Sequence, residues 1–246
     1  MSRRIVIVGA TSRIAECCAR LWAAQGAEFL LLGRDATRLE QVAADLRVRG
    51  GQCETRVFDA GCAPDVEGLV DGAYAWRDAI DLLLIAHGTM PPQERAQQDL
   101  GLARQVLEIN GVSVCLIAEA FAGRMLARGA GTLAIIGSVA GDRGRQSNYL
   151  YGAAKGLVAR YAEGLRHRLH GTGVSVVLIK PGPTETPMTV GADIGPVTLA
   201  QPEDVAHEIV RGIDAGRRTI YCPAKWRWIM ALIRHVPERL FLRWRI

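Results

Sequence analysis

Ser138, Tyr151 and Lys155 have the types and the spacing for moving a proton onto an oxygen. Tyr151 and Lys155 stand four apart, which on a helix makes their side chains neighbours on one face. A free phenol titrates near pH 10 or so, about three units too high to work easily at neutrality, and a nearby cation favours its phenolate. Lys155 supplies such a cation, and the Ser138 hydroxyl can hydrogen-bond an oxygen on which negative charge develops. The chemistry this trio suits is protonation of a carbonyl oxygen while its carbon is reduced. A tyrosine and a lysine at this spacing also form a common solvated helix pair, so the surrounding elements must decide.

The apolar run over 133–136 predicts a buried strand with Ser138 just past its end. Gly141, Asp142, Gly144 and Asn148 break the pattern before a helix that starts near Tyr149. Elsewhere strands are predicted over 4–8, 27–32, 52–58, 80–86, 174–179 and 219–222. Helices are predicted over 14–25, 36–49, 66–76 and about 100–128. This alternation implies an α/β fold with a parallel, doubly wound sheet of seven strands and helices on both faces. Ligands bind such sheets beyond the strand ends.

At 246 residues and 49% hydrophobic side chains the chain can bury a large core as one domain, 1–223, followed by a distinct tail, 224–246. No run reaches the roughly 18 apolar residues of a membrane span, and the apolar stretch before Gly9 is too short for a signal peptide, so a cytoplasmic location is expected. Cys17, Cys18, Cys53, Cys62, Cys115 and Cys222 lack metal-ligand spacing and read as reduced core residues, with no metal expected. Thirty basic against 25 acidic residues give a net charge of +5. The tail alone holds six basic side chains and one acid, so the body is balanced and a nucleic-acid groove is disfavoured.

Other strand ends carry suggestive residues. The first opens into Gly9-Ala-Thr-Ser-Arg-Ile-Ala15, a small-residue loop before a helix, the setting in which backbone N–H groups meet a pyrophosphate. The second ends Gly33-Arg34, with no acid for ribose hydroxyls; an arginine there suits a 2′-phosphate, which favours NADP(H) over NAD(H), though it also reads as a solvated loop residue. Asp59 can bond an adenine amino group or cap the next helix. Ala86-His87-Gly88 is small enough at its ends for a flat cofactor to approach, and a catalytic role for His87 is disfavoured.

Taken together, Gly9, Asp59, Ala86-His87-Gly88, Asn110, Ser138, Tyr151-x-x-x-Lys155 and Pro181-Gly182 resemble the short-chain dehydrogenase/reductase family, over about residues 4–222 and in the family's order. The resemblance implies a Rossmann fold, a nicotinamide cofactor and hydride transfer between it and a carbonyl or alcohol carbon. It makes Tyr151 the general acid, Ser138 the binder of the substrate oxygen, Lys155 the ribose binder that lowers the tyrosine pKa, and Asn110 the helix-kinking residue that holds a relay water. The cofactor contacts it implies are Gly9, Thr11, Ser12, Arg13, Ile14, Arg34, Asp59, Ala60, Ala86, His87, Gly88, Tyr151, Lys155, Pro181, Gly182, Thr184 and Thr186. It also implies dimers or tetramers through the helices near Leu100 and Tyr149. Two positions depart from the pattern. Arg13 and Ala15 replace the second and third glycines of the phosphate loop, and Arg13 is expected to reach the phosphates itself. His87 replaces a small alanine, with no reason derivable from sequence.

Residues 183–201, rich in Pro, Gly and Thr, read as a lid over the substrate or as a surface insertion. In the tail, Trp226, Ile229, Met230, Ile233 and Val236 recur at helical spacing, and Pro237 begins a second turn with Leu240, Phe241 and Trp244. Tryptophans beside arginines suit a helix lying on an anionic membrane, peripheral at the inner face; the alternative is packing on the domain or a sister subunit. With the tail, the loop after Gly9 and Lys180-Pro-Gly, the chain resembles the family branch that includes decaprenylphosphoryl-2-ketoribose reductase. That resemblance implies NAD(P)H-dependent reduction of a keto-sugar carried on a polyprenyl phosphate. The alternatives are a soluble ketone, 3-oxoacyl or steroid-like substrate, and a non-catalytic NADP-sensing protein, against which Asn110, Ser138, Tyr151 and Lys155 speak.

Overall fold

The computed structural model describes residues 2–61, 65–190 and 198–244. Cys62, part of the 183–201 lid and the end of the tail, Arg245 and Ile246, therefore lie outside the described residues. Seven parallel strands form one sheet: β1 (Arg4–Val8), β2 (Glu28–Gly33), β3 (Gln52–Val57), β4 (Leu82–Ile85), β5 (Gly131–Ile136), β6 (Val174–Pro181) and β7 (Thr219–Cys222), in spatial order β3-β2-β1-β4-β5-β6-β7. The order reverses between β1 and β4, which opens a crevice at the ends of those two strands. Because every ladder is parallel, the residues that follow β1, β2, β4, β5 and β6 line one edge of the sheet.

Apolar strand residues alternate between two helix layers. One layer holds α1 (Arg13–Ala23), α2 (Ala36–Val48) and α8 (Pro202–Asp214) against Ile5, Ile7, Phe29 and Leu31. The other holds α3 (Val66–Trp76), α6 (Ser113–Arg128) and α7 (Tyr149–Arg168) against Val6, Val8, Leu83 and Leu133. The core strands are buried on both sides, as continuous apolar runs require. The remaining helices are α4 (Gln93–Gln98), α5 (Leu100–Leu107), α9 (Trp226–His235) and α10 (Glu238–Phe241).

Two helices, α4 and α8, are absent from the sequence reading. The signal for α8 is present, since Pro202 sits in its first turn and Val205, Ala206, Ile209, Val210 and Ile213 form one buried stripe. From α5 to α6 the chain runs as one 29-residue helical stretch, Leu100–Arg128, long and apolar enough to span a membrane, contrary to the expectation that no segment is. Its apolar face is a core face: Val114, Ile117, Ala118, Phe121, Ala122 and Met125 are buried against the sheet.

The tail folds as the apolar spacing predicts, into α9 and α10 separated by Pro237. One stripe of α9 packs on the domain, where Trp226 and Met230 are buried with Val139, and Tyr221 and Ile233 lie alongside.

Candidate active site

Two glycines bring the catalytic candidates together. A Cβ on Gly141 would stand 2.6 Å from the Lys155 carbonyl carbon, and one on Gly152 would stand 3.0 Å from the Ala140 carbonyl oxygen. Without side chains there, the short 3-10 turn after β5 (Val139–Asp142) lies flat on the first turns of α7. Ser138, at the start of that turn, accepts the Ala140 N–H at 3.0 Å. Its own hydroxyl proton is left to donate, and the Ser138 hydroxyl is near enough to the Tyr151 phenol to favour its phenolate.

Lys155 lies one turn further on, 3% exposed, its Nζ donating to the Ile136 carbonyl at 2.9 Å and standing 5.7 Å from the centre of the Tyr151 ring. Burial pushes the Tyr151 phenol up to about 12, against the opposing hydrogen bond from Ser138. Burial also pushes Lys155 down to about 8. The implied lowering of the phenol pKa is therefore corrected for the protein by itself. Desolvation outweighs the Ser138 hydrogen bond, so Tyr151 is held as the protonated acid.

Asn110 is fully buried inside a π-helical turn, Glu108–Val112, that joins α5 to α6. Its Oδ1 accepts the Thr89 N–H at 2.9 Å, and its Nδ2 donates to the carbonyls of Thr89 and Val106, each at 2.8 Å. The side chain thus clamps the segment after β4 to the turn. The wider winding interrupts the regular helical ladder there.

At the other end of the crevice, β1 lies close to the end of β4. A Cβ on Gly9 would stand 2.5 Å from the His87 nitrogen, and Gly9 has φ +84°, so glycine is required twice over. Ser12 caps α1 with extended backbone but makes no side-chain capping bond, which leaves the first N–H groups of α1 to a ligand. Ile14 is buried beneath this loop. Arg13 does not follow the expectation that it reaches phosphate. Its guanidinium pairs with Glu203 at 2.5 Å and Glu16 at 3.4 Å, tying α1 to the start of α8. Arg34 is exposed and has no carboxylate partner among the described residues.

Sequence reasoning missed Arg38. It lies one helical turn past Arg34, and its Nη2 donates to the Thr11 carbonyl at 3.3 Å, bringing a second cation to the same loop. The Asp59 Oδ1 accepts the Gly61 N–H at 2.8 Å, while the cap of α3 is Asp65, which corrects the reading of Asp59 as the helix cap. Ala60 and Ala86 are buried, and a Cβ on Gly88 would stand 2.7 Å from Asn110 Oδ1 and 3.8 Å from the Met188 methyl.

Pro181 ends β6 and Gly182 follows it against the Trp226 indole, which a Cβ at Gly182 would overlap. The buried Thr184 hydroxyl donates to the Gly182 carbonyl at 2.9 Å, and the single Thr189 hydroxyl proton is shared between the carbonyls of Thr184 and Thr186, 2.8 and 2.9 Å from Oγ1. A bridge between Thr184 and Ala200 ties the two ends of the 183–201 segment together. Beneath it Lys180 and Asp142 form a buried ion pair at 2.5 Å, and the Tyr221 hydroxyl donates to Asp142 at 2.9 Å. This network locks the turn after Ser138 to the strand that presents Pro181 and Gly182.

His87 is half-buried, with its Nδ1 atom wholly inside. Its Nε2 lies 3.0 Å from Ser113 Oγ, and Ser113 in turn donates to the Ile109 carbonyl at 3.0 Å. Burial, with a further push from Lys155, takes the imidazole down to about 3, so it is neutral.

The comparisons agree with this geometry. A family described as short chain dehydrogenase matches residues 3–194. An uncharacterized oxidoreductase of Mycobacterium tuberculosis is 34% identical over 240 residues, covering 97% of this chain and 96% of its own. A short-chain dehydrogenase from Sphingobium yanoikuyae, solved in complex with NADPH, superposes with a TM-score of 0.83 at 24% identity over 96% of this chain and 97% of its own. A variant of actinorhodin polyketide ketoreductase, solved with NADPH, gives 0.79 at 26% identity over 89% and 94%. With its seven-stranded parallel sheet and these relatives, the chain belongs to the short-chain dehydrogenase/reductase family and is an NAD(P)-dependent oxidoreductase.

Proposed function

We propose that this protein is an NADPH-dependent reductase of a ketone borne on a membrane-associated, polyprenyl-phosphate-linked keto-sugar. The observation that carries the chemistry is the meeting of Ser138, Tyr151 and Lys155 at the end of β5, with the phenol protonated and the ammonium buried beside its ring.

The residues present fit a dinucleotide, because α1 keeps uncapped N–H groups behind Gly9 and Arg34 has no carboxylate partner among the described residues. Gly9, Thr11, Ser12 and Ile14 would hold the pyrophosphate, and Arg34 with Arg38 the 2′-phosphate. Asp59 and Ala60 would border the adenine, Ala86, His87 and Gly88 the middle of the cofactor, and Pro181, Gly182, Thr184 and Thr186 the nicotinamide side, with Lys155 at the ribose. Arg13 is left out, its guanidinium being committed to Glu203. When bound, the cofactor supplies the hydride to the carbonyl carbon.

Ser138 and Tyr151 together bind the carbonyl oxygen, and Tyr151 gives it the proton that completes the alcohol. The Lys155 ammonium stabilises the phenolate that remains until solvent returns the proton. Asn110 holds the segment that ends at Thr89 in place.

The membrane reading rests on the outward side of the tail. Trp228, Leu232 and Leu242 are 72%, 70% and 75% exposed, among Lys225, Arg227, Arg234, Arg239 and Arg243. At about 1 kcal/mol per basic residue, such a surface supports reversible attachment to anionic lipid. A second reading, a soluble ketone with the tail as a structural element, is favoured by the packing of Trp226 and Met230 on the domain. Exposed Leu107, Leu116 and Leu157 on α5, α6 and α7 support a homodimer or homotetramer through that face. The test is to incubate the protein with NADPH and a panel of ketones, including a polyprenyl-linked keto-sugar, and to follow cofactor oxidation. Preference for the lipid-linked ketone supports the first reading, and equal or better use of soluble ketones supports the second.

A further inference from the structure

The Ser113 hydroxyl has one proton, and that proton goes to the Ile109 carbonyl one helical turn back, at 3.0 Å. Toward His87 Nε2, also 3.0 Å away, the serine oxygen can therefore only accept. This fixes the neutral imidazole as the Nε2–H tautomer. Its Nδ1 is then a lone-pair acceptor, and this atom is buried with no protein donor. A buried acceptor left unmatched costs about 1–3 kcal/mol, so a partner is expected. Lys155 is near enough to act on the imidazole electrostatically, but its ammonium bonds Ile136 and makes no hydrogen bond to Nδ1. The π-helical turn that carries Asn110 ends at Val112, next to Ser113, so the serine that orients the imidazole is held at the edge of the widened winding, and Asn110, Ser113 and Lys155 are all buried polar side chains.

We propose that His87 is a positioning residue of the proton path, its Nδ1 holding a water molecule against Lys155 so that solvent protons reach the Tyr151 phenolate. This rests on the reading of Tyr151 and Lys155 as the proton machinery. His87 keeps its own proton throughout. The bound water accepts a proton from solvent and passes one toward Lys155 for each proton that Tyr151 gives to substrate, so nothing accumulates on the imidazole. The histidine in place of alanine thus converts a packing position into an anchor for the relay.

Two substitutions separate this role from mere packing, because an asparagine amide overlays the Nδ1 side of an imidazole and a glutamine amide overlays the Nε2 side. His87→Asn keeps an acceptor for the water and gives up the Ser113 contact; His87→Gln does the reverse. With the ketone that the wild type reduces best, His87→Asn is expected to lose less kcat than His87→Gln and to keep the wild-type solvent deuterium isotope effect. His87→Gln is expected to lose roughly tenfold in kcat with an altered isotope effect and unchanged KM. The reverse ranking, or equal behaviour of the two variants, overturns the proposal. Should either variant fold poorly, nitrogen-15 NMR of the wild type decides. An Nε2–H imidazole with a hydrogen-bonded Nδ1, unchanged between about pH 5 and pH 8, is expected, and an Nδ1–H tautomer or an imidazolium overturns it. Loss of turnover in Tyr151→Phe alongside a failed His87 pattern sinks only this inference, whereas retained turnover in Tyr151→Phe sinks the reading beneath it.

Discussion

The Trp226 indole lies on Gly182 so closely that no side chain fits at that position, which fastens the C-terminal tail to the segment following β6. Met230 continues the contact onto Val139, the residue after Ser138, and Arg143 from the same loop donates to the carbonyls of Ile233 and Val236 at 2.5 and 2.6 Å. The tail is thus built into the shoulder of the active site. Trp226→Ala is expected to cost about 3–5 kcal/mol, the range for a large buried aromatic, and thermal or urea unfolding measures it. A loss below about 1 kcal/mol would show that the tail is not part of the fold.

The opposite side of α9 makes a separate prediction. Trp228→Ser with Leu232→Ser removes two exposed apolar side chains, so stability should change by less than about 0.5 kcal/mol for each. Sedimentation with vesicles containing anionic lipid should nevertheless fall severalfold, and most at high salt, where the basic residues that remain are screened. Equal sedimentation of variant and wild type would remove the membrane reading and leave the chemistry intact. Deleting 224–246 is a poorer experiment, because it also strips Trp226 from Gly182.

Lys155 gives a pH signature. Burial holds it at about 8 against an ordinary 10.5, so between those values the unfolded chain binds more protons than the folded one. The contribution of Lys155 to stability therefore rises with pH from about 8 to about 10.5, and below about 8 the charged lysine costs of order 3 kcal/mol in full. Lys155→Met should melt higher at neutral pH and lose that rising component, measured as the difference between variant and wild-type unfolding curves. Turnover in reduction should fall as pH rises through about 8, where the ammonium disappears. A profile flat to pH 10 would contradict the role given to it.

Much of this was legible in the residues. Apolar runs with turn signals between them mark β1, β2, β4, β5 and β6, because strands buried on both faces leave that pattern, whereas β3 is a polar, partly exposed edge strand. Ser138, Tyr151 and Lys155 were legible because i,i+4 spacing and a strand end are local features. What escaped was nonlocal. Arg13 looked like a phosphate ligand until α8, itself unread, placed Glu203 against it. The Lys180–Asp142 pair joins positions 38 apart, and nothing in either neighbourhood names its partner. The sign of the Tyr151 shift depends on burial, which a spacing argument does not contain.

Arg34 tests the cofactor reading. Arg34→Glu removes a cation from the proposed 2′-phosphate position and is expected to weaken NADPH by tenfold or more, about 1.5–3 kcal/mol, while leaving NADH nearly unchanged. Separate KM measurements for the two cofactors check it. A residual preference would point to Arg38, one turn along and bonded to the Thr11 carbonyl.

The most direct measurement is the turnover of Tyr151→Phe with NADPH and the best ketone of the panel, set beside its affinity for NADPH by fluorescence titration. Loss of the phenol should lower kcat by roughly 100-fold to 10,000-fold with cofactor binding within a few-fold of wild type. Turnover that survives the substitution would contradict the assignment of Tyr151 as the acid.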